Sequence, residues 1–102
     1  DVDDEATIEA LAQEVDELNH VVNLASNPAS GAVRDLERSA VLAAFDAKVI
    51  GALLHAKHLA PQMPPTGSML FFSGVAAWKP APAFSDVTTN GAVTFLASAL
   101  AV

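Results

Sequence analysis

The stretch Ser68-Met69-Leu70-Phe71-Phe72-Ser73-Gly74 decides the fold of this chain. Its short apolar run lies between a segment rich in Pro and Gly and a Ser-Gly pair, a pattern that predicts a central strand buried on both faces of a parallel sheet. In open parallel sheets, ligands bind beyond the carboxyl ends of the strands, so Ser73 is a candidate site residue. Ser-Gly pairs also mark ordinary turns, and a purely structural Ser73 is the alternative.

The composition indicates a single domain that is apolar for its size. The chain has 102 residues, of which 52% are hydrophobic and 17% are charged. Small domains expose proportionally more surface than large ones and therefore need more polar residues. We infer that the chain forms the interior of a larger unit.

Charge and cysteine content exclude several classes of function. The net charge of −7 argues against nucleic-acid binding, and eight of the twelve carboxylates lie within the first seventeen residues, which indicates a solvated helix face rather than a cation site. The chain contains no cysteine, which excludes disulfides and thiolate metal sites and fits a reducing, cytoplasmic compartment. We predict no metal site, and His55 and His58 are expected to be solvated or to lie in an interface.

The spacing of apolar residues predicts alternating helices and strands. Recurrence at three and four residues indicates helices, and short β-branched or apolar runs indicate strands, so the fold is α/β with a parallel sheet and right-handed crossovers. The closest approach to a membrane helix is residues 91–102, which is shorter than the ~18 apolar residues required, so no membrane span is expected. The predicted elements are a helix at about 4–17, a strand at about 19–25, a helix at about 36–59, a strand at about 68–73 and a helix at about 85–102.

Four blocks of sequence resemble the short-chain dehydrogenase/reductase family in their order and spacing. They are residues 21–26, 45–51, 67–74, and 90–93 followed by 96–102. The resemblance implies part of a Rossmann-like fold, from the end of its third strand to the helix after its fifth, without the first and the last strands. It also implies an NAD(P)-dependent oxidoreductase that transfers a hydride to or from a small-molecule carbonyl or alcohol.

The resemblance assigns cofactor contacts to two short segments. Asp1 and Val2 fall where the family approaches the adenine. The turn Asn23-Leu24-Ala25-Ser26 falls where the family usually has Asn-Asn-Ala-Gly, and it departs from that motif at Leu24 and Ser26. The alternative is that Asn23 caps a strand end and that Asp1 is a frayed terminus. The family's glycine-rich phosphate turn would precede Asp1, so the chain alone is not expected to bind NAD or NADP or to be active.

The catalytic positions implied by the resemblance are degenerate. Ser73 matches the family's serine, whereas the tyrosine position falls on Asp86, the lysine position on Asn90 and the helix asparagine position on Lys48, and the chain has no tyrosine. Two interpretations follow. In one, the protein is an oxidoreductase in which Ser73 orients a carbonyl and Lys48 or Asp86 takes part in proton transfer, unless Lys48 extends to solvent. In the other, it is a non-catalytic Rossmann-like protein for binding or assembly.

Two predicted helices are candidates for self-association. The helices at 36–59 and 85–102 are rich in Ala and Gly, which allows helices to approach closely. In the family that the chain resembles, the same two helices pair across a two-fold axis, which implies a homodimer or homotetramer. The alternative is that they pack only on their own sheet.

Overall fold

Residues 1–2, 4–74, 78–79 and 86–101 are described by a computed structural model, residues 86 and 87 by their backbone alone. The two strands pair in parallel, with His20 opposite Ser68 and Asn23 opposite Phe71, so the predicted α/β fold with a parallel sheet is confirmed. The elements are α1 (Glu5–Glu14), β1 (His20–Asn23), α2 (Arg38–Phe45), α3 (Gly51–Leu59), β2 (Ser68–Phe71) and α4 (Asp86–Leu100), with 3-10 turns at Val33–Asp35 and Ala60–Gln62 and a π-helical turn at Asp46–Ile50.

One face of the sheet is exposed. Burial alternates along both strands, and the register partners Val22 and Leu70 are 57% and 52% exposed. Leu24 and Phe72, two residues further on, are exposed as well. The prediction of a strand buried on both faces is therefore wrong for the described residues, because none of their elements covers this face, whereas parallel sheets usually carry helices on both sides.

The predicted first helix is shorter in the structure. It begins after Asp4, whose side chain accepts a hydrogen bond from the Ala6 N–H at 3.1 Å, and its residues Ile8 and Ala12 are buried. It ends at Glu14 rather than near residue 17, and Val15 is already extended. Further acidic residues follow, and carboxylates at a helix C-terminus are unfavourable because they meet the negative end of the helix dipole.

The predicted long helix is a continuous but uneven helical segment, Arg38–Gln62. Its α-helical course is interrupted by the π-helical turn between α2 and α3, and it ends in a 3-10 turn that contains Pro61. It has 25 residues and contains an 18-residue window with a mean hydropathy of 1.5, so it is long and apolar enough to cross a membrane by length and composition. The expectation that residues 91–102 come closest to a membrane helix is therefore wrong. Core helices of globular proteins, which are mostly buried, meet the same criterion, whereas 22% of this window is buried among the described residues, and the expected absence of a membrane span stays a prediction.

The core is built largely from alanine. Among the described residues, no large side chain is less than 2% exposed. Small side chains let the helices approach closely but remove little apolar surface from water, so each contributes little hydrophobic stabilisation. The buried apolar residues are Ile8, Ala12, Ala29, Ala44, Ala52, Ala56, Leu59 and Val93.

An ion network joins α1 to α3. The Glu5 carboxylate accepts hydrogen bonds from the Lys57 ammonium and, at 2.9 Å, from His58 Nε2. The hydrogen bond from Lys57 is the largest cause that lowers the pKa of Glu5 below its ordinary value, and the bond from His58 is the next. The ionised form of Glu5 therefore favours the folded state.

Replacing Glu5 with glutamine should lower stability at neutral pH. A carboxyl group with a lowered pKa in the folded state contributes stability above its unfolded pKa and loses it as the pH falls through the lowered value. The difference between Glu5→Gln and the parent in urea unfolding should therefore shrink on acidification below the ordinary value of 4.5. Glu9→Gln, on the same helix and exposed, is the control, and an equal effect of both substitutions would contradict the role of the network.

Candidate active site

The carboxyl ends of the two strands define one edge of the sheet. Asn23 and Phe71 are register partners and the last residues of β1 and β2. The segments that follow, which include Ala25 and Ser73, therefore leave the sheet at the same edge. In parallel α/β sheets this edge is the usual position of a ligand site.

The Ser73 hydroxyl lies against the first turns of α4. Its Oγ donates a hydrogen bond to the Asn90 carbonyl oxygen at 2.8 Å. Thr94 Oγ1 lies 2.9 Å from Ser73 Oγ and 3.0 Å from the same carbonyl oxygen. The structure thus brings together Ser73 and Asn90, two of the predicted site residues, and adds Thr94 to them.

Asn90 also packs on the turn that follows β2. It is 4% exposed, and a Cβ built on Gly74 would lie 2.9 Å from its Nδ2 atom. A side chain at position 74 would therefore require the Asn90 amide to shift. Asn90, at the position where the resemblance expects a lysine, is therefore a packed residue of the turn–helix contact.

Lys48 lies in the π-helical turn Asp46–Ile50, which packs against α4. π-helical turns are rare and are frequent at functional sites. The Lys48 side chain is half-buried, and its ammonium makes no hydrogen bond or ion pair with the described residues. The structure therefore places Lys48 on an element beside α4 but not in contact with the Ser73 hydroxyl.

Asp86 is the first residue of α4, and its side chain lies outside the described residues. It precedes Asn90 by four residues, and Thr94 follows by four more. Residues spaced by four share one helix face, so the three positions form a column along α4. The participation of Asp86 in proton transfer to the substrate stays a prediction.

The predicted adenine segment is held between α1 and α3. The Asp1 amino group donates to Thr7 Oγ1 at 3.3 Å, and the Thr7 hydroxyl lies 3.0 Å from the Asp1 carbonyl oxygen and 2.8 Å from that of Asp4. The Val2 carbonyl oxygen would lie 2.8 Å from a Cβ built on Gly51. Asp1 is thus hydrogen-bonded to α1 rather than frayed, while its contact with a cofactor stays a prediction.

The Asn23 turn offers one buried donor. Its Oδ1 accepts a hydrogen bond from the Ala25 N–H at 3.0 Å, which turns the chain out of the sheet and ends β1 before residue 25. Its Nδ2 is buried and has no hydrogen-bond partner among the described residues. Leu24 between them is 67% exposed. A buried amide without a partner costs free energy, so a ligand that accepts from it would be favoured.

The three histidines have separate partners. His20 Nδ1 lies 2.7 Å from Ser68 Oγ at the amino ends of the strands, away from Ser73. His55 Nδ1 donates to the Gly51 carbonyl at 2.5 Å, whereas His58 binds Glu5. Within the described ranges, no three His, Asp or Glu residues are grouped to hold a metal ion, and the predicted absence of a metal site stays a prediction.

Thr94 is a site residue that was not predicted from the sequence. It stands in an apolar stretch of α4, where a polar side chain is unusual, and it follows Asn90 by four residues. That spacing, together with the resemblance at Asn90, is the signal that could have identified it.

Known proteins resemble this chain in sequence and in fold. Residues 1–101 match the family model described as enoyl-(acyl carrier protein) reductase. The solved structure of a small-chain dehydrogenase is 29% identical with a TM-score of 0.88, covering 99% of this chain and 57% of that one. A small-chain dehydrogenase in complex with NADPH is 30% identical with a TM-score of 0.87, covering 99% and 49%. No curated protein sequence matches the chain.

The chain therefore belongs to the short-chain dehydrogenase/reductase family, as its sequence blocks predicted. A more distant structure, a short-chain dehydrogenase/reductase from Burkholderia phymatum in complex with NAD, shares the fold at 21% identity and a TM-score of 0.89, covering 98% of this chain and 38% of that one. The chain thus spans about half the length of the first two structures, 57% and 49%, and less of the third.

Replacing Gly74 with alanine tests the contact between the turn and α4. The added Cβ would crowd Asn90 Nδ2, and overpacking of this kind costs about 1–3 kcal/mol. Urea unfolding should show this loss for Gly74→Ala. The loss should be smaller when Gly74→Ala is introduced into Asn90→Ala, because the shorter side chain removes the crowding. If the losses of stability from the two substitutions simply add, the loss in Gly74→Ala does not come from contact with the Asn90 side chain.

Proposed function

We propose that the protein is an NAD(P)-dependent oxidoreductase that transfers a hydride to or from a small-molecule carbonyl or alcohol, with a degenerate catalytic set. The observation that carries the proposal is the Ser73 hydroxyl at the carboxyl edge of the sheet, hydrogen-bonded to α4 at Asn90. The family membership supports the reaction class. We also propose a cytoplasmic location, which the cysteine-free sequence supports.

One group at the carboxyl edge supports the binding of a dinucleotide. The buried Asn23 Nδ2 is a donor without a partner among the described residues, at the edge where α/β sheets bind such ligands. We propose that Asp1, Val2 and the Asn23-Leu24-Ala25 turn contact the cofactor. When bound, a nicotinamide cofactor supplies or accepts the hydride.

Ser73 would act on the substrate oxygen. A hydroxyl that donates a hydrogen bond to a developing oxyanion is worth ~100-fold or more in rate. In the structure, the Ser73 hydroxyl donates its proton to the hydrogen bond with the Asn90 carbonyl. The hydroxyl therefore has to rotate toward the substrate before it can donate to the substrate oxygen.

The proton that reaches the product oxygen needs a source other than tyrosine. Lys48 is the first candidate, because an ammonium carries a proton at neutral pH and its turn packs against α4. Asp86 is the second. A carboxylate that is ionised at neutral pH cannot donate, so Asp86 would need an environment that raises its pKa.

The alternative function is binding or assembly without catalysis. It is favoured by the absence of tyrosine from the chain and by the engagement of the Ser73 hydroxyl with the helix backbone. A carbonyl reductase assay of the complete protein with NADH and NADPH distinguishes the two functions. Binding of a dinucleotide without turnover of any carbonyl would favour the alternative.

In the complete protein, Ser73→Ala should reduce carbonyl reduction far more than Asp86→Asn. The serine loses a hydrogen bond to the oxyanion, typically ~100-fold in kcat, whereas an aspartate at a helix start is explained by its favourable interaction with the helix dipole. Steady-state kinetics of both variants against the parent is the measurement. A larger loss for Asp86→Asn would show that the carboxylate has replaced the tyrosine as the acid.

We propose that the protein forms a homodimer or homotetramer through α2, α3 and α4. The outer side of these helices exposes apolar groups: Phe95 is 78% exposed and Leu42 is 45% exposed. A Cβ built on Gly91, one turn before Phe95, would meet no atom of the described residues within 4 Å, so among them a second helix has room to approach there. Exposed apolar groups on helices with small residues are typical of helix–helix interfaces.

Phe95→Asp should reduce the molecular mass of the assembly. A carboxylate at the centre of an apolar interface would have to lose its hydration without a partner, which prevents association. Light scattering at tens of micromolar is the measurement. Val33→Asp, at a site that is 86% exposed but outside these helices, is the control and should leave the mass unchanged. A parent protein that is monomeric under these conditions would contradict the proposal.

A further inference from the structure

Three oxygen atoms form a closed hydrogen-bonded triangle at the end of β2. Ser73 Oγ, Thr94 Oγ1 and the Asn90 carbonyl oxygen are separated by 2.8, 2.9 and 3.0 Å. Both side chains are half-buried, so their choice of partner is restricted by the surrounding protein. Thr94 is the member of the triangle to which the proposed function assigns no role.

The triangle has two hydroxyl protons for three contacts. A hydroxyl carries one proton and can donate only once, so the Thr94 proton goes either to Ser73 Oγ or to the Asn90 carbonyl, and we consider one arrangement of each kind. In the first, Ser73 donates to the Asn90 carbonyl and Thr94 donates to Ser73. In the second, Thr94 donates to the Asn90 carbonyl, and the Ser73 proton is free for another acceptor.

We infer that Thr94 is a positioning residue for Ser73. In the first arrangement it holds the serine oxygen in place by donating to it. In the second it donates to the Asn90 carbonyl in place of Ser73, so that the Ser73 proton can turn to a substrate oxygen. The role in catalysis rests on the proposed oxidoreductase function, whereas the hydrogen-bond exchange rests on the three distances alone.

The geometry distinguishes this role from an ordinary helix threonine. Threonine hydroxyls within helices commonly bond to the carbonyl four residues earlier, and Ser98 does so toward the Thr94 carbonyl at 3.3 Å. Thr94 Oγ1 lies within reach of that carbonyl, at 3.0 Å from the Asn90 oxygen, and it also lies 2.9 Å from the hydroxyl of Ser73, 21 residues away in sequence. Ser98, an exposed hydroxyl residue of the same helix that makes the ordinary bond, therefore provides a control without the contact with Ser73.

The first measurement uses the 102-residue chain and needs no activity. Three-bond NMR couplings of the Ser73 side chain should report a single rotamer in the parent and in Thr94→Ser, which keeps the hydroxyl. They should report rotamer averaging in Thr94→Val, which has nearly the same shape without the hydroxyl. Ser98→Ala should resemble the parent, and Thr94→Ala serves if valine is not accommodated.

The second measurement uses carbonyl reduction by the complete protein. Thr94→Val should lower kcat about tenfold, the value of one hydrogen bond, with KM little changed, and Thr94→Ser should restore it. A fixed Ser73 rotamer in Thr94→Val would overturn the inference even if the enzyme is active. Averaging of that rotamer in a protein without reductase activity would support the positioning by Thr94 and refute the proposed function instead.

Discussion

β1 and β2 are parallel and are hydrogen-bonded in a single register. The arrangement of the candidate site depends on this pairing. Because Asn23 lies opposite Phe71, the turns after both strands leave the sheet at the same edge. A slip of one residue would send Ser73 to the other face of its strand, away from α4. The helix α4 completes the site, because its residues Asn90 and Thr94 form hydrogen bonds with Ser73.

Asn90 shows how a position can keep its place in a fold while its chemistry changes. Where the family resemblance expects a lysine, this chain has a short amide that is 4% exposed and packs over Gly74. Its backbone carbonyl accepts a hydrogen bond from the Ser73 hydroxyl. The contact between the end of β2 and α4 is therefore made by a main-chain group of α4. A backbone acceptor of this kind is present whatever the side chain is. The link between β2 and α4 therefore survives the replacement, whereas the positive charge that a lysine would bring does not.

The order of the elements and their parallel pairing follow from local patterns, and the sequence was sufficient to predict them. Apolar periodicity identifies α1, α2, α3 and α4, and turn residues bound the two strands. The exposed face with Val22 and Leu70 was not predicted, because an apolar run in the sequence does not show which elements pack against it. The π-helical turn at Lys48 has no propensity signal of its own. Thr94 was missed because its partner, Ser73, is distant in sequence and meets it only through the packing of α4.

The pairing of β1 with β2 also has a consequence for the order of events in folding. His20 and Ser68 are 48 residues apart in sequence, and every pair of the ladder shares this separation. No backbone hydrogen bond of the sheet can form until the intervening chain, with its 25-residue helical segment, has been brought back alongside β1. The chain must lose the entropy of closing that loop before the sheet provides any stabilisation, so topologies of this kind fold slowly compared with helical bundles. During that interval, the alanine-rich helices are the parts of the chain that can form from local contacts, and the apolar strands remain open to pairing with other chains.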